Sequence, residues 1–269
     1  MRGVQPDYSL RFTQSVASSS AGMASKNDWP GDRETFVRFS RESTIAMRIL
    51  LSAFESYGEW RDNSSWNALV YWLSVVGGHP QVMTRKYPVD LVQLQARLER
   101  DLAQGVDAVL HLGQAPGISR IHLESIAINV AGITQEPGGD YGPILENAPV
   151  AYRTSFPLGE WVKQLRLEGI PAAISYHAGT YLCNAAMYLS HHWFARRHEV
   201  PRVGFIHLPL TPEQVLQSGQ PLASMPLEQS AKAIGLLVER TLELGTPHLD
   251  PSLVGQQAMR GKPFHRPIS

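Results

Sequence analysis

The chain has 269 residues, 43% of them apolar, and its 24 lysines and arginines balance 24 aspartates and glutamates. Balanced charge excludes broad electrostatic capture of nucleic acid or anionic membrane, and no apolar run reaches the roughly 20 residues of a spanning helix. A single cysteine excludes an internal disulfide or a multi-cysteine zinc centre and fits a reducing compartment, so a cytoplasmic enzyme or binding protein is the expectation.

Residues 1–46 differ from the rest. The stretch 15–26, SVASSSAGMASK, is small and polar, and there is neither a clear amphipathic transit helix nor a signal-type apolar core. This reads as a flexible or loosely docked N-terminal extension, with the compact domain over 47–245. Within it, 48–54 (RILLSAF) reads as a buried strand and 65–76 as a helix. The pattern predicts a second helix over 88–104. Pro88 sits near its start, Leu91, Leu94, Leu98 and Leu102 mark one face, and Gly105 follows. Residues 107–112 read as strand, 159–168 as a helix ended by Gly169, and 172–176 as strand. A helix begins near Cys183, with Leu182, Ala186, Leu189 and Trp193 at helical spacing. Residues 202–208 read as strand, 227–244 as the last helix, and 246–269 as an irregular tail. Strands alternating with helices need crossover connections. The expected fold is therefore α/β, with a largely parallel sheet covered on both faces.

In such a sheet, chemistry collects at the carboxyl ends of the strands. Three segments fall there. Residues 174–184 (ISYHAGTYLCN) run from strand through a glycine turn into a helix that starts at Cys183. A thiol in a first helical turn faces unpaired N–H groups and the positive end of the dipole, and both favour thiolate. The same N–H groups could hold an oxyanion. Residue type alone favours a blander role, since a lone cysteine is more often a small buried hydrophobe. His207, near the end of the apolar strand VGFIHL, is placed to exchange a proton with a neighbouring helix start, although a structural histidine is the commoner case. Glu124 lies amid apolar residues. A buried carboxylate needs a partner, and an imidazolium would serve, whereas a surface glutamate or structural ion pair is the ordinary alternative. His191 and His192 are adjacent on a helix and so cannot form an i, i+4 metal pair.

At these residues the chain resembles the pyroglutamyl peptidase type I (pyrrolidone-carboxylate peptidase) family of cysteine peptidases. The thiol segment is similar to its Ser-x-x-Ala-Gly-Thr-x-x-Cys-Asn motif through Ser175, Ala178, Gly179, Thr180, Cys183 and Asn184. Gly204, Phe205, Ile206, His207 and Pro209 resemble its histidine strand, followed by Pro212, Glu213 and Gln214. Gly113, Gln114, Ala115, Glu124, Ala127 and Asn129 resemble its carboxylate region, and the start from Met47 through Phe54, Tyr57 and Gly58 resembles its opening. Asn63, Ser65 and Trp66 resemble its Asn-Pro-Ser-Trp. The resemblance implies a three-layer α/β/α sandwich with a mixed, largely parallel twisted sheet. It implies a catalytic triad of Cys183 as nucleophile, His207 as base then acid, and Glu124 as the orienting carboxylate. It also implies a substrate pocket involving Phe54, Tyr57, Gln114 and Leu182, no cofactor, peptides beginning with pyroglutamate as substrates, and a homotetramer.

The chain departs from the family pattern at several points. Ser56 and Tyr57 stand where the family has proline and phenylalanine, so a stiffened turn is lost and a hydroxyl enters the pocket wall. Ser125 and Thr134 stand where arginines are common. Two other readings share the scaffold: a weak or inactive homologue acting as a binding protein, and an amidase or thioesterase for another small acyl group.

Overall fold

A computed structural model describes residues 46–132, 141–200 and 202–245. The segments read as extension and tail lie outside the described residues, apart from Ala46, as does Thr134. In chain order the elements begin with β1 (Ile49–Phe54), α1 (Ser64–Val76), β2 (Val82–Tyr87), α2 (Leu91–Leu102) and β3 (Ala108–Gln114). Short strands follow: β4 (Ile121–Glu124), β5 (Ile126–Ile128), β6 (Ala131–Gly132), β7 (Tyr141–Gly142) and β8 (Ala151–Arg153). The chain then forms α3 (Leu158–Leu167), β9 (Ala172–Ser175), α4 (Leu182–Ala195), β10 (Val203–Leu208), α5 (Pro212–Ser218) and α6 (Leu227–Glu243).

Six strands form one sheet in the order β2-β1-β3-β10-β4-β9. Every neighbouring pair is parallel except β10 and β4, which run antiparallel. The sheet is therefore mixed, with its reversal at a single seam. The central strands β1, β3 and β10 are buried at every position, which is why they read as continuous apolar runs rather than alternating ones. One face packs on α1, α3 and α6, where Leu51, Leu69, Trp161 and Ile234 join one core; the other packs on α2 and α4, where Leu50, Leu98, Tyr188 and Phe205 join a second. Each fully buried leucine contributes about 2 kcal/mol of transfer free energy. This is the three-layer α/β/α sandwich expected from the sequence. Among the described residues no helix is long and apolar enough to cross a membrane.

Local chemistry sets the element ends. Asn63 caps α1 by accepting from Ser65 N, and Gly77 ends it at φ 70°, where a left-handed backbone suits glycine. The second helix is shorter than the expected 88–104. Asp90 caps it by accepting from Gln93 N, so its first residue is Leu91 and Pro88 lies before the cap. In α4 the expected stripe is buried at Leu182, Ala186 and Leu189 and half-buried at Trp193, and Ala185, Tyr188, Ser190, His191 and Phe194 are buried too, because this helix is enclosed on several sides.

His111 and His191 are among the buried side chains. His111 on β3 is fully enclosed between the Ser52 Oγ (2.6 Å from Nδ1) and the Ser190 Oγ (2.9 Å from Nε2). His191 stacks on the Tyr152 ring at 5.7 Å. Burial pushes both down to about 3. Each stays neutral in the folded chain, while the unfolded chain takes up a proton below about 6.5. Stability must therefore fall as pH drops below 6.5, by about 2 kcal/mol per histidine at pH 5. His111→Asn is expected to flatten this decline, read as the change in urea unfolding free energy between pH 7 and pH 5. An unchanged slope would mean that His111 gains no proton on unfolding in that range.

Candidate active site

The site is built where the sheet reverses. β10 pairs with β3 on one side, placing His207 opposite Gly113, and with β4 on the other, placing Phe205 opposite Glu124. The His207 Nδ1 lies 2.7 Å from the Glu124 Oε1. Glu124 is 2% exposed, so it can hold this charge only with a partner, and its Oε2 has none among the described residues. A carboxylate accepts, so Nδ1 carries the proton and Nε2 is left for another partner. The Cys183 sulfur lies near enough to act on the ring. Burial works against a charged ring. The Cys183 sulfur, by charge and hydrogen bond, and then Glu124 outweigh it and hold the imidazole up at about 9.

Cys183 is the second residue of α4 and is half-buried. Tyr181, at the N-cap of this helix, makes no side-chain capping bond to its first turn. What holds this turn is Asn184, which is fully buried. Its Oδ1 accepts from Ile128 N (2.9 Å), and its Nδ2 donates to the carbonyls of Ile128 (2.8 Å) and Val130 (3.0 Å). The Cys-Asn pair thus has a physical division of labour. One residue presents sulfur, and the next fastens the helix start to the strands after Glu124.

The other residues expected at the site gather around this cluster in different ways. Phe54 and Leu182 are nearly fully buried in the core shared with α2 and α4. Phe54 reaches the site through Phe205, whose ring lies 6.2 Å from it and 4.7 Å from the His207 ring. The Tyr57 hydroxyl donates to the Gln114 backbone carbonyl at 3.3 Å. Burial first, and then negative charge on Cys183, push this phenol up to about 12, so it remains a neutral donor. Gln114 meets Tyr57 through its main-chain carbonyl, and its side-chain amide also acts on the phenol. Its side-chain Oε1 accepts from Ser64 N and from Gln214 Nε2, both at 2.7 Å. At Ser125, next to Glu124 in the chain, the backbone N–H donates to Ser175 O and the carbonyl accepts from Thr154 N.

Gly113 is a second contributor that residue type does not reveal. A Cβ there would lie 2.7 Å from the Phe205 ring and 3.1 Å from the Cys183 Sγ. The sulfur sits against bare backbone, so only glycine leaves it room. Gly113→Ala is expected to cost about 1–3 kcal/mol of stability by overpacking and to lower turnover by pushing sulfur or ring aside. Urea unfolding and steady-state kinetics together check this; wild-type values in both would mean that Phe205 yields without cost.

A thiol at an uncapped helix start, near an imidazole that a buried carboxylate orients, on an α/β/α sandwich, is the layout of a cysteine peptidase. The comparisons with known proteins narrow the class. Residues 47–243 match the family model described as pyroglutamyl peptidase. The pyrrolidone-carboxylate peptidase of Thermococcus litoralis is 36% identical over 206 residues, covering 73% of this chain and 93% of that protein. The enzyme of that name from Pyrococcus furiosus is 36% identical over 205 residues, covering 73% and 99%. Among solved structures, a mutant pyrrolidone carboxyl peptidase from the hyperthermophile P. furiosus superposes with a TM-score of 0.67 at 34% identity, covering 74% of this chain and 99% of that one. The T. litoralis structure gives 0.66 at 34%, covering 73% and 94%. The chain belongs to the pyroglutamyl peptidase family.

Proposed function

We propose that the chain hydrolyses the bond after an N-terminal pyroglutamyl (5-oxoprolyl) residue, with Cys183, His207 and Glu124 as its triad. The observation that carries this reading is the imidazole bonded to Glu124 at 2.7 Å, with the Cys183 sulfur near enough to act on it, inside the segment that matches the family. The His207 imidazole takes the thiol proton, and the sulfur attacks the pyroglutamyl carbonyl carbon. The oxyanion of the tetrahedral intermediate is received by first-turn N–H groups of α4. Collapse breaks the C–N bond, His207 protonates the departing amine, and a thioester remains. Water, deprotonated by His207, then attacks the thioester, releasing pyroglutamate and regenerating the thiol. Glu124 holds the ring in the required tautomer throughout. Phe54, Tyr57 and Leu182 supply the apolar and polar walls around the ring, and Gln114 supplies main chain beside Tyr57.

Residues 47–245 make up the peptidase domain in this reading, residues 1–46 are an appended extension and 246–269 a tail. The working form is a cytoplasmic homotetramer, as the family resemblance implies; a single cysteine accords with a reducing compartment. The test is release of a fluorophore from a pyroglutamyl amide by purified protein, beside a prolyl amide control, with and without iodoacetamide. Pyroglutamyl-selective, thiol-sensitive release is expected, and a chain starting at Met47 is expected to retain it. Failure of the reduced, folded protein to release it would overturn the reading and favour a binding protein or another acyl group.

A further inference from the structure

We infer that Gln214 is a positioning residue for the reaction, acting through the Gln114 carboxamide. This rests on the function proposed above, because its consequence is for the pocket that holds the pyroglutamyl group. Gln214 is 3% exposed on α5, away from the triad, and touches neither Cys183 nor His207 through any hydrogen bond described in the structure. It first serves its own helix. Thr211 caps α5 by accepting from Gln214 N at 3.3 Å, and Gln214 Oε1 accepts from Thr211 N at 2.9 Å. This reciprocal cap works equally well with glutamate, since only a side-chain acceptor is needed.

The other end of the Gln214 amide is what glutamate could not supply. With Oε1 committed to a backbone N–H, Nε2 must face the opposite way. There it donates to Gln114 Oε1 at 2.7 Å and to the Asp62 carbonyl at 3.2 Å. Gln114 Oε1 also accepts from Ser64 N at 2.7 Å. One amide thus ties together the end of β3, the loop leading into α1 and the start of α5. The bonding fixes both amides without ambiguity, because Thr211 N–H and Ser64 N–H can only donate.

The elements tied here carry the pocket wall. Side chains alternate along a strand. A side chain at Gly113 would point at Phe205 and the Cys183 sulfur, so Gln114 turns its side chain to the opposite face, where Ser64 and Gln214 hold it. Gln114 meets Tyr57 with its backbone carbonyl, which accepts from the hydroxyl, and with its side-chain amide, which also acts on the phenol. The Asp62–Ser64 loop leads back to Tyr57 through Asn63, whose Nδ2 donates to the Glu55 carbonyl at 2.9 Å. Gln214 therefore sets the spacing between the strand end and the Tyr57 turn, which is the width of the substrate pocket, from the far face of the sheet.

Gln214→Glu separates the two roles. It keeps the cap and places a carboxylate oxygen against two acceptors, Gln114 Oε1 and Asp62 O. The expected result is a KM for the pyroglutamyl amide raised about tenfold, with kcat changed less than about threefold and the rate of Cys183 alkylation by iodoacetamide unchanged. An unchanged KM in a folded variant overturns the inference, as does a fall in kcat with KM unchanged. If Gln214→Glu does not fold, Gln214→Met is read in the same assay with the same criteria. Should the wild-type protein not cleave the pyroglutamyl amide, the proposed function fails, and the tie is still decided by the Gln114 side-chain NH2 resonances, identified by their loss in Gln114→Glu. A downfield move in Gln214→Glu, as Gln114 turns its NH2 to the new carboxylate, supports the tie; unmoved resonances overturn it.

Discussion

Replacing Cys183 with serine is expected to cut turnover of a pyroglutamyl amide by about 10⁴-fold or more while leaving the fold intact. The argument begins with the atom exchanged. A hydroxyl is a far weaker acid than a thiol, so the proton that His207 takes from sulfur stays on oxygen. The site is half-buried and the swap removes little volume, so unfolding free energy should move by less than about 1 kcal/mol. The same variant carries a second readout. Charge on Cys183 is the largest influence raising the His207 imidazole, and burial opposes it. With serine in place, the ring should lose its proton well below 9, as an NMR titration of its carbon-bound protons would show. Retained turnover would remove Cys183 from the mechanism. An unmoved titration would mean that Glu124 alone holds the ring.

Glu124→Gln is the next largest expected effect, a loss of about 10²–10⁴-fold in kcat with KM nearly unchanged. Glutamine keeps the shape and can still accept from Nδ1, but it removes the charge that stabilises an imidazolium 2.7 Å away. A histidine held above its ordinary value keeps its proton until pH rises through about 9. Losing Glu124 lowers that point, so the alkaline limb of the activity profile should move to lower pH. Stability follows the same sign. The raised imidazole contributes stability that is complete below about 6.5 and vanishes as pH climbs through 9. The variant should therefore be less stable than wild type at pH 6, and the gap should close near pH 9. An alkaline limb that stays in place would show that Glu124 has no electrostatic hold on His207.

How much of this was legible in the sequence depends on where each element finds its partners. The runs ILLSAF and VGFIHL announce β1 and β10 because both faces are buried, and the leucines of α2 announce an amphipathic face. β2 is hidden by its chemistry. VMTRKY carries charges at the sheet edge, and only the fold shows that Arg85 turns its guanidinium onto Asp101 at 2.8 Å while Tyr87 bonds the same carboxylate. β4 is four residues long, and what makes it a strand is β10, far along the chain. The residue types of the candidate triad could be named from their local segments, but the contact between Glu124 and His207 is a tertiary fact. At α5 the fold shows a helix start with a reciprocal cap in the Thr-Pro-Glu-Gln run, and nothing local says that the same glutamine reaches across to Gln114. Gly113 is silent for a related reason, since its value lies in the sulfur and ring that converge on it from α4 and β10.

The position of β10 between β3 and β4 also governs when the protein can act. β3 and β4 are consecutive in the chain, but the strand that joins them side by side is the last of the sheet to be made. A chain still emerging from the ribosome already carries the thiol and the carboxylate, with neither the imidazole nor the strand that brings them together. Such long-range pairing closes late in folding. The three candidate groups can therefore meet only once β10 has paired with both of its neighbours.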